Sequence, residues 1–178
     1  MKTYLQCIIL IIWCFSSNAQ KPHFNLEKPS YDSVFKIEKS NGGQIKTYSY
    51  SISVSKDYFP NAANYHLANP LVFIRKNKDF YLNVSYYYSL DDSIVRLIEY
   101  SWDLKSSKTK ILYKLFNRNK RTISEYFKNQ GLETKRIKND ENDWDGSTII
   151  WEDDKRYVKL FLINGQRTYR VRVLISWK

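Results

Sequence analysis

The most constraining feature of the sequence is the change of hydrophobic period that follows residue 130. Over residues 108–130 the apolar side chains recur at helical spacing and fall on one arc at about 100° per residue, with Asn119 in the middle of that arc. After Gly131 the apolar residues alternate, which is typical of strands with one buried face. The apolar arc holds Ile111, Leu112, Leu115, Phe116, Ile123, Tyr126 and Phe127, and Lys110, Lys114, Arg118, Arg121 and Lys128 lie opposite.

Both ends of this predicted helix carry recognisable signals. Ser106 and Ser107 offer hydroxyl groups for an N-cap, and Gly131 stands where a left-handed C-terminal cap is expected. Thr122 and Glu125 also have the spacing of a capping box. The alternative interpretation is therefore two shorter helices that divide near Asn119.

The strongest hairpin signal in the chain is Asn164-Gly165, because both residues tolerate the positive φ of a type I′ turn. The strand that follows alternates over residues 169–177, with one apolar face and one largely polar face. A two-residue loop at this point predicts the cross-strand pairs Leu160–Tyr169 and Val158–Val171.

Shorter alternating runs before the helix predict about five more strands. They cover residues 34–39, 48–55, 71–75, 80–88 and 94–104, after a polar leader at residues 20–32 and with a long loop at residues 57–70. The last meander begins at Thr148. The predicted fold class is α+β, a single domain with a curved antiparallel sheet of about seven to eight strands packed on one long helix.

The first 19 residues have the composition of a secretory signal peptide. Lys2 gives a positive start, residues 4–15 are mostly apolar, and residues 17–19 predict cleavage after Ala19. An uncleaved membrane anchor is the alternative, but the apolar run is shorter than the roughly 20 residues that span a bilayer. Trp13 precedes Cys14, and such a bulky residue argues against lipidation of that cysteine.

Cleavage after residue 19 leaves 159 residues (178 minus 19) and removes both cysteines, Cys7 and Cys14. The remaining chain has no disulfide, thiolate nucleophile or cysteine metal ligand. Its formal charge is +10, since Lys2 takes one unit from the +11 of the whole chain. These properties predict a basic, secreted or periplasmic domain that is held by its hydrophobic core and has no transmembrane segment after cleavage.

Few residues of the chain suit catalysis. His23 in the leader and His66 in the loop are the only two histidines. The sequence has no Gly-x-Ser-x-Gly, phosphate-binding glycine loop or His-Glu-x-x-His pattern. A non-catalytic protein is therefore favoured. The alternative is a hydrolase-type enzyme in which His66 works with carboxylates beside the loop.

An acidic run before the last meander has the spacing of the calcium loop of an EF-hand. Its candidate metal ligands are Glu141, Asp143, Asp145 and Glu152, with Gly146 at the sixth position. The first position holds Glu where that motif has Asp, and Thr148 stands where an apolar residue is usual. The alternative is a connecting loop that begins a hairpin at Asp145-Gly146. No other cofactor is predicted.

A basic and aromatic surface is predicted on the face of the terminal hairpin that points away from the core. The register above sets Lys159 opposite Arg170, and these charges repel unless an anion or a neighbouring carboxylate lies between them. It also stacks Arg172 on Tyr157. The candidate ligand-binding residues are Tyr157, Lys159, Phe161, Arg170 and Arg172.

Together with the basic side of the helix, this surface predicts affinity for anionic partners. The candidates are an anionic polysaccharide or a lipid headgroup, and another envelope protein is the alternative partner. Specific nucleic-acid binding is not expected, because no recognition motif is present. Three hypotheses follow: an exported non-catalytic binding domain, which is favoured, a hydrolase-type enzyme, and a calcium-stabilised structural module.

Overall fold

The computed structural model describes residues 24–48, 54–55, 58–105, 109–135, 145–165 and 168–178. The predicted signal peptide and most of the strand predicted at residues 48–55 lie outside these ranges. The elements in chain order are α1 (Tyr31–Ser40), β1 (Gln44–Lys46), a 3-10 helix (Pro60–Asn64), β2 (Leu71–Lys76), β3 (Phe80–Tyr88), β4 (Val95–Leu104), α2 (Thr109–Phe127), β5 (Leu132–Lys135), β6 (Asp145–Glu152), β7 (Arg156–Gly165) and β8 (Thr168–Trp177).

The eight described strands form one antiparallel sheet in the order β1-β2-β3-β4-β8-β7-β6-β5. This order is symmetric about the central pair β4–β8. Within the described residues, β1–β4 follow α1 and β5–β8 follow α2, so the order α-β-β-β-β occurs twice. The predicted α+β class with an antiparallel sheet is confirmed.

The main core lies between the helices and one face of the sheet, which we call the helix face. α2 contacts β6, β7 and β8, and Val34 of α1 belongs to the same apolar cluster. The opposite surface of the sheet is the open face. Because side chains alternate along a strand, each strand that gives apolar residues to the core presents the residues between them on the open face. The largest fully buried core side chains include Trp151, Tyr86, Tyr100, Ile98, Leu112, Ile123, Leu160 and Ile175.

Helix α1 replaces the strand predicted at residues 34–39. Tyr31, Val34 and Glu38 are spaced three and four residues apart and are less exposed than their neighbours. Glu38 is fully buried because Arg75 and Tyr86 donate hydrogen bonds to its carboxylate. A glutamate at a core position interrupts the helical pattern of apolar residues, which is why the sequence predicts a strand here.

Residues 24–30 of the predicted polar leader are packed against the molecule. Leu26 is buried, and the Phe24 ring lies 5.9 Å from Tyr100 and 6.3 Å from Trp102, measured between ring centroids. Two apolar residues within a polar stretch produce no periodic signal, so the sequence does not reveal this contact.

Helix α2 matches the prediction for residues 108–130, and it is one continuous helix from Thr109 to Phe127. The predicted alternative, a division near Asn119, is wrong. The left-handed residue that directly follows the helix is Lys128, with φ of 56°, and not Gly131. The backbone N–H of Asn129 donates to the carbonyl of Ser124 at 3.2 Å, which is the six-residue bond of a Schellman motif.

The terminal hairpin is confirmed, but its predicted register is wrong by four residues. Asn164 and Gly165 belong to β7, where they pair with Tyr169 and Thr168, and residues 166–167 lie outside the described ranges. This register lets β7 and β8 pair from Arg156–Trp177 to Gly165–Thr168. A shift by an even number keeps every side chain on its predicted face. The observed pairs are Leu160–Val173 and Val158–Ile175, in place of Leu160–Tyr169 and Val158–Val171.

Candidate functional site

A cavity of about 620 Å³, which we call the groove, lies on the open face over β3, β4 and β8. Its volume is within the range of small-molecule sites, about 300–1,000 Å³. Residues of β1 and of the chain that precedes the 3-10 helix also contribute to its lining. The polar and aromatic lining residues are Lys46, Tyr48, Ser55, Tyr58, Asn83, Ser85, Tyr87, Glu99, Ser101, Asp103, Arg170 and Arg172.

Two arginines of β8 form ion pairs with two carboxylates of β4 in this groove. Arg172 donates to Oε1 of Glu99 from Nε at 2.9 Å and from Nη2 at 2.6 Å, and Arg170 donates from Nε to Asp103. Asn83 of β3 donates from Nδ2 to Oδ2 of Asp103 at 2.7 Å. The groove therefore contains fixed donors and acceptors on three adjacent strands.

The charges of these pairs largely balance each other. Burial lowers the pKa of the Arg172 guanidinium, but attraction by Glu99 and the hydrogen bond to it outweigh burial and hold this pKa above its usual value. Asp103 lies directly opposite Arg170 in the β4–β8 ladder. Each arginine is thus compensated by a carboxylate of the neighbouring strand.

Aromatic residues that precede β2 cover one side of the groove. The Tyr58 ring centroid lies 4.7 Å from Cζ of Arg172, and the ring packs edge-on against Phe161 at 5.4 Å. Phe59 is 1% exposed and stacks on Tyr65 at 5.8 Å. These residues attach the described part of the predicted long loop to the open face. Their cluster includes Tyr87, Leu97 and Leu174 of the sheet.

Only part of the predicted basic and aromatic surface lines the groove. Arg170 and Arg172 do, and Phe161 contacts Tyr58 at its side. Lys159 and Tyr157 are on the same face but outside the groove, on a strand further from its centre.

The corrected register also changes the partners of these residues. Lys159 lies opposite Leu174 instead of Arg170, and Arg172 lies opposite Phe161 instead of Tyr157. The predicted repulsion and the predicted Arg172–Tyr157 stacking are therefore wrong. Lys159 has its Nζ 5.0 Å from the Phe161 ring centroid.

Glu99 and Asp103 are two carboxylates of the groove that sequence reasoning does not single out as site residues. Their alternation with the apolar residues of β4 is visible in the sequence and assigns them to the polar face. Arg170 and Asp103 are 67 positions apart, however, and only the strand order brings them together. The hydrophobic pattern of a sequence predicts which segments are strands, but it does not predict which strands are neighbours in the sheet.

His66, the candidate catalytic residue, lies at the surface. Its Nδ1 is 3.8 Å from Oδ1 of Asp91, and both side chains are 72% exposed. His66 lines neither the groove nor the cavity between α2 and the β2–β3 hairpin. An exposed pair of this kind is screened by water.

The candidate calcium ligands Glu141 and Asp143 lie outside the described residues, so the calcium hypothesis stays a prediction there. The described end of the acidic run is the strand β6, from Asp145 to Glu152. Seven residues of extended chain separate these two by roughly 23 Å. Glu152 forms an ion pair with Lys178 at 2.8 Å. Within the described ranges, no group of three or more His, Cys, Asp or Glu residues is placed to hold a metal ion.

No protein-family model, curated protein or solved structure matches this chain. Among the described helices, none has both the length and the apolar character needed to cross a membrane.

Proposed function

We propose that the protein is an exported, non-catalytic binding domain whose ligand occupies the groove on the open face. The observation that carries this proposal is the pair of arginine–carboxylate bridges in the groove, Arg170–Asp103 and Arg172–Glu99. Both bridges are formed before any ligand arrives, so binding requires little reordering of side chains. Export is supported by the signal-peptide pattern of residues 1–19.

The chemistry of the lining favours a small polar ligand that has both donors and acceptors, such as a neutral or zwitterionic oligosaccharide of the cell envelope. Asp103 and Glu99 offer acceptor oxygens, while Arg170 and Arg172 offer donors. Tyr58 adds an aromatic surface with a polar end. An anionic polysaccharide fits the groove less well, because each arginine charge is already balanced by a carboxylate.

We also infer that the sheet is curved and that α2 is the main helix on which it packs. The right-handed twist between neighbouring strands accumulates over a sheet of this width. α2 contacts three of the strands, and its inward residues are fully buried or nearly so. Curvature of this kind gives the open face a shape that a ligand can enter.

The test is a titration of the purified protein with neutral, zwitterionic and anionic oligosaccharides, followed by calorimetry. We expect Asp103→Asn to weaken binding of a neutral glycan about tenfold, the effect of losing a charged hydrogen bond of about 1.4 kcal/mol. Asp153→Asn is the matched control, because Asp153 also pairs with an arginine, Arg156, but outside the groove.

The proposal fails if no glycan binds or if both variants weaken binding equally. An anionic glycan that binds best, with an affinity that falls steeply with salt, would restore the polyanion hypothesis.

A further inference from the structure

A second cavity, which we call the cleft, lies on the helix side of the sheet between α2 and the hairpin that joins β2 to β3. Its volume is about 420 Å³. Unlike the groove, the cleft is lined by an excess of basic residues, by one buried amide without a partner among the described residues and by an apolar wall. Nothing in the proposed function uses it.

Cations predominate in the lining of the cleft. Five basic residues contribute to it and one carboxylate, that of Asp79. Lys114 and Arg118 are one helical turn apart on α2, and neither has an ion-pair partner within the described residues. Arg75 is bound to Glu38, and the other four basic residues of the lining outnumber the single carboxylate of Asp79. This balance contrasts with the groove, where the arginines are neutralised, and it attracts an anion.

A buried amide faces the same space. Asn119 is 1% exposed and lines the cleft, yet its Nδ2 finds no acceptor in the part of the chain that the structure describes. A buried donor without an acceptor is costly to the folded state. An anionic oxygen in the cleft would give this amide its missing partner.

The remaining wall of the cleft is apolar. Phe80, Leu82 and Trp102 come from the sheet, and Ile111 and Leu115 come from α2. The volume of the cleft also exceeds what an isolated phosphate ion fills. A ligand that suits both sides carries one anionic group and an organic, largely apolar part.

We propose that the cleft binds an organic phosphate. The phosphate group lies between Lys114, Arg118 and the Asn119 amide, and the organic part packs against Phe80, Trp102 and Leu115. A phosphate group fits because it offers several acceptor oxygens with a double charge to three donor side chains of α2 that line the same cleft. The same group occurs in soluble phosphate esters and in anionic lipid headgroups.

The experiment measures thermal stability and binding affinity with three probes: inorganic phosphate, hexyl phosphate, and vesicles that contain phosphatidic acid, with phosphatidylcholine vesicles as reference. We expect hexyl phosphate to bind more tightly than inorganic phosphate, because it also covers the apolar wall. The K114Q/R118Q variant should weaken binding about tenfold or more. Its matched control is K110Q/R121Q, which removes the same charge from the same helix outside the cleft.

Asn119→Leu supplies a second, independent variant that retains the fold. It removes an unpaired amide from the core and should raise the melting temperature while it weakens hexyl phosphate binding. Preference for phosphatidic acid vesicles over hexyl phosphate would identify a lipid headgroup as the source of the phosphate, and the reverse preference would identify a soluble ester. The proposal is overturned if none of the phosphate probes binds, or if K110Q/R121Q weakens binding as much as K114Q/R118Q.

Discussion

Glu38 shows how one buried charge joins α1 to the sheet. It is 0% exposed, and Arg75 donates to it from Nε at 2.8 Å and from Nη2 at 2.6 Å, while the Tyr86 hydroxyl donates at 2.5 Å. Such a fork geometry satisfies both carboxylate oxygens. Removal of one partner leaves the other charge buried without compensation, and this is where the energetic cost arises.

We expect Glu38→Gln to lower the free energy of unfolding by about 3 kcal/mol. The double variant Glu38→Leu/Arg75→Met should cost less than the two single changes added together, since it removes both charges. The control is Glu125→Gln, which breaks an exposed pair with Arg121 and should cost less than about 0.5 kcal/mol. Urea unfolding measures the free energy of unfolding of every variant, and equal losses in Glu38→Gln and Glu125→Gln would contradict the prediction.

The buried tyrosines predict a loss of stability at alkaline pH. Burial raises the pKa of Tyr100 to about 12, and it raises the pKa of Tyr86 and Tyr87 as well. An unfolded tyrosine titrates near pH 10, so the folded protein holds these protons more tightly. Their contribution is fully present below about pH 10 and is lost as the pH rises towards the folded pKa.

Each such tyrosine adds about 1.4 kcal/mol per pH unit to the fall in the free energy of unfolding above pH 10. Tyr100→Phe should therefore make this pH dependence shallower by about that amount between pH 10 and 12. Tyr81→Phe, which removes a hydroxyl from a residue 43% exposed, is the control. An unchanged pH dependence in Tyr100→Phe would show that this side chain does not carry the effect.

Residue-scale prediction from the sequence succeeded where a polar residue sits on a polar face and failed where it is buried. Arg170 and Arg172 are predicted on the open face and line the groove there. Glu38 belongs to the strand predicted at residues 34–39, but it is a core residue of a helix. A buried carboxylate depends on partners far along the chain, here Arg75, and no local pattern reveals such partners.

The end of α2 is the clearest case at the scale of an element. Lys128 occupies the left-handed position of the Schellman motif, where a residue with a Cβ atom is strained. We expect Lys128→Gly to raise the free energy of unfolding by about 1 kcal/mol, because glycine adopts this φ without the steric cost. Lys128→Ala, which shortens the side chain but keeps Cβ, is the control and should give no comparable gain by thermal unfolding.

Gly131 has a different role from the helix cap that the sequence predicts. Its φ is +69°, and a Cβ atom there would approach Cε2 of Trp151 to 2.7 Å and Cγ2 of Ile149 to 2.8 Å. Glycine is required both for its backbone angle and because β6 passes close to it. The residue is needed to bring β5 against β6 after the helix.

Gly131→Ala should lower the free energy of unfolding by about 3 kcal/mol, the sum of a left-handed backbone cost and an overpacking cost. Gly42→Ala is the matched control, since Gly42 has φ of +71° with no atom within 4 Å of the added Cβ. It should lose only about 1 kcal/mol. Equal losses in the two variants, measured by urea unfolding, would show that crowding against Trp151 does not contribute.

Elements with a strong period are predicted from the sequence, and elements that depend on pairing are not. α2 and strands β2, β3 and β4 appear close to their predicted bounds. The strand β5, Leu132–Lys135, is missed because four residues show no clear alternation. The register of the terminal hairpin is missed because Asn164-Gly165 fits a turn locally, while in the structure both residues pair with β8 and extend the β7–β8 ladder.

At the scale of the molecule, the described residues form two α-β-β-β-β units that share one sheet and one core. The sequence shows no internal repeat, yet the strand order is symmetric about β4–β8. Many different apolar residues can fill a core of this shape. Two units can therefore share the same order of helix and strands without similar sequences. The groove crosses the junction of the two units, since β4 carries its carboxylates and β8 its arginines.

This shared core predicts a single cooperative unfolding transition. Val34 and Trp102 of the first unit belong to the same buried cluster as Leu112 and Trp151 of the second. Neither unit can lose its packing without exposing the apolar surface of the other, so partial unfolding is unfavourable. Tryptophan fluorescence and far-ultraviolet circular dichroism should therefore give coincident urea transitions.

Leu82→Ala and Leu112→Ala test this cooperativity from opposite sides of the junction. Leu82 of β3 is 3% exposed and Leu112 of α2 is 0% exposed, so each change should lower the free energy of unfolding by about 2–5 kcal/mol. Each should also shift both spectroscopic transitions together, although the altered residue lies in one unit only. Two separate transitions in either variant would mean that the units unfold independently, and that the β4–β8 junction, with the groove that crosses it, opens before the rest of the sheet.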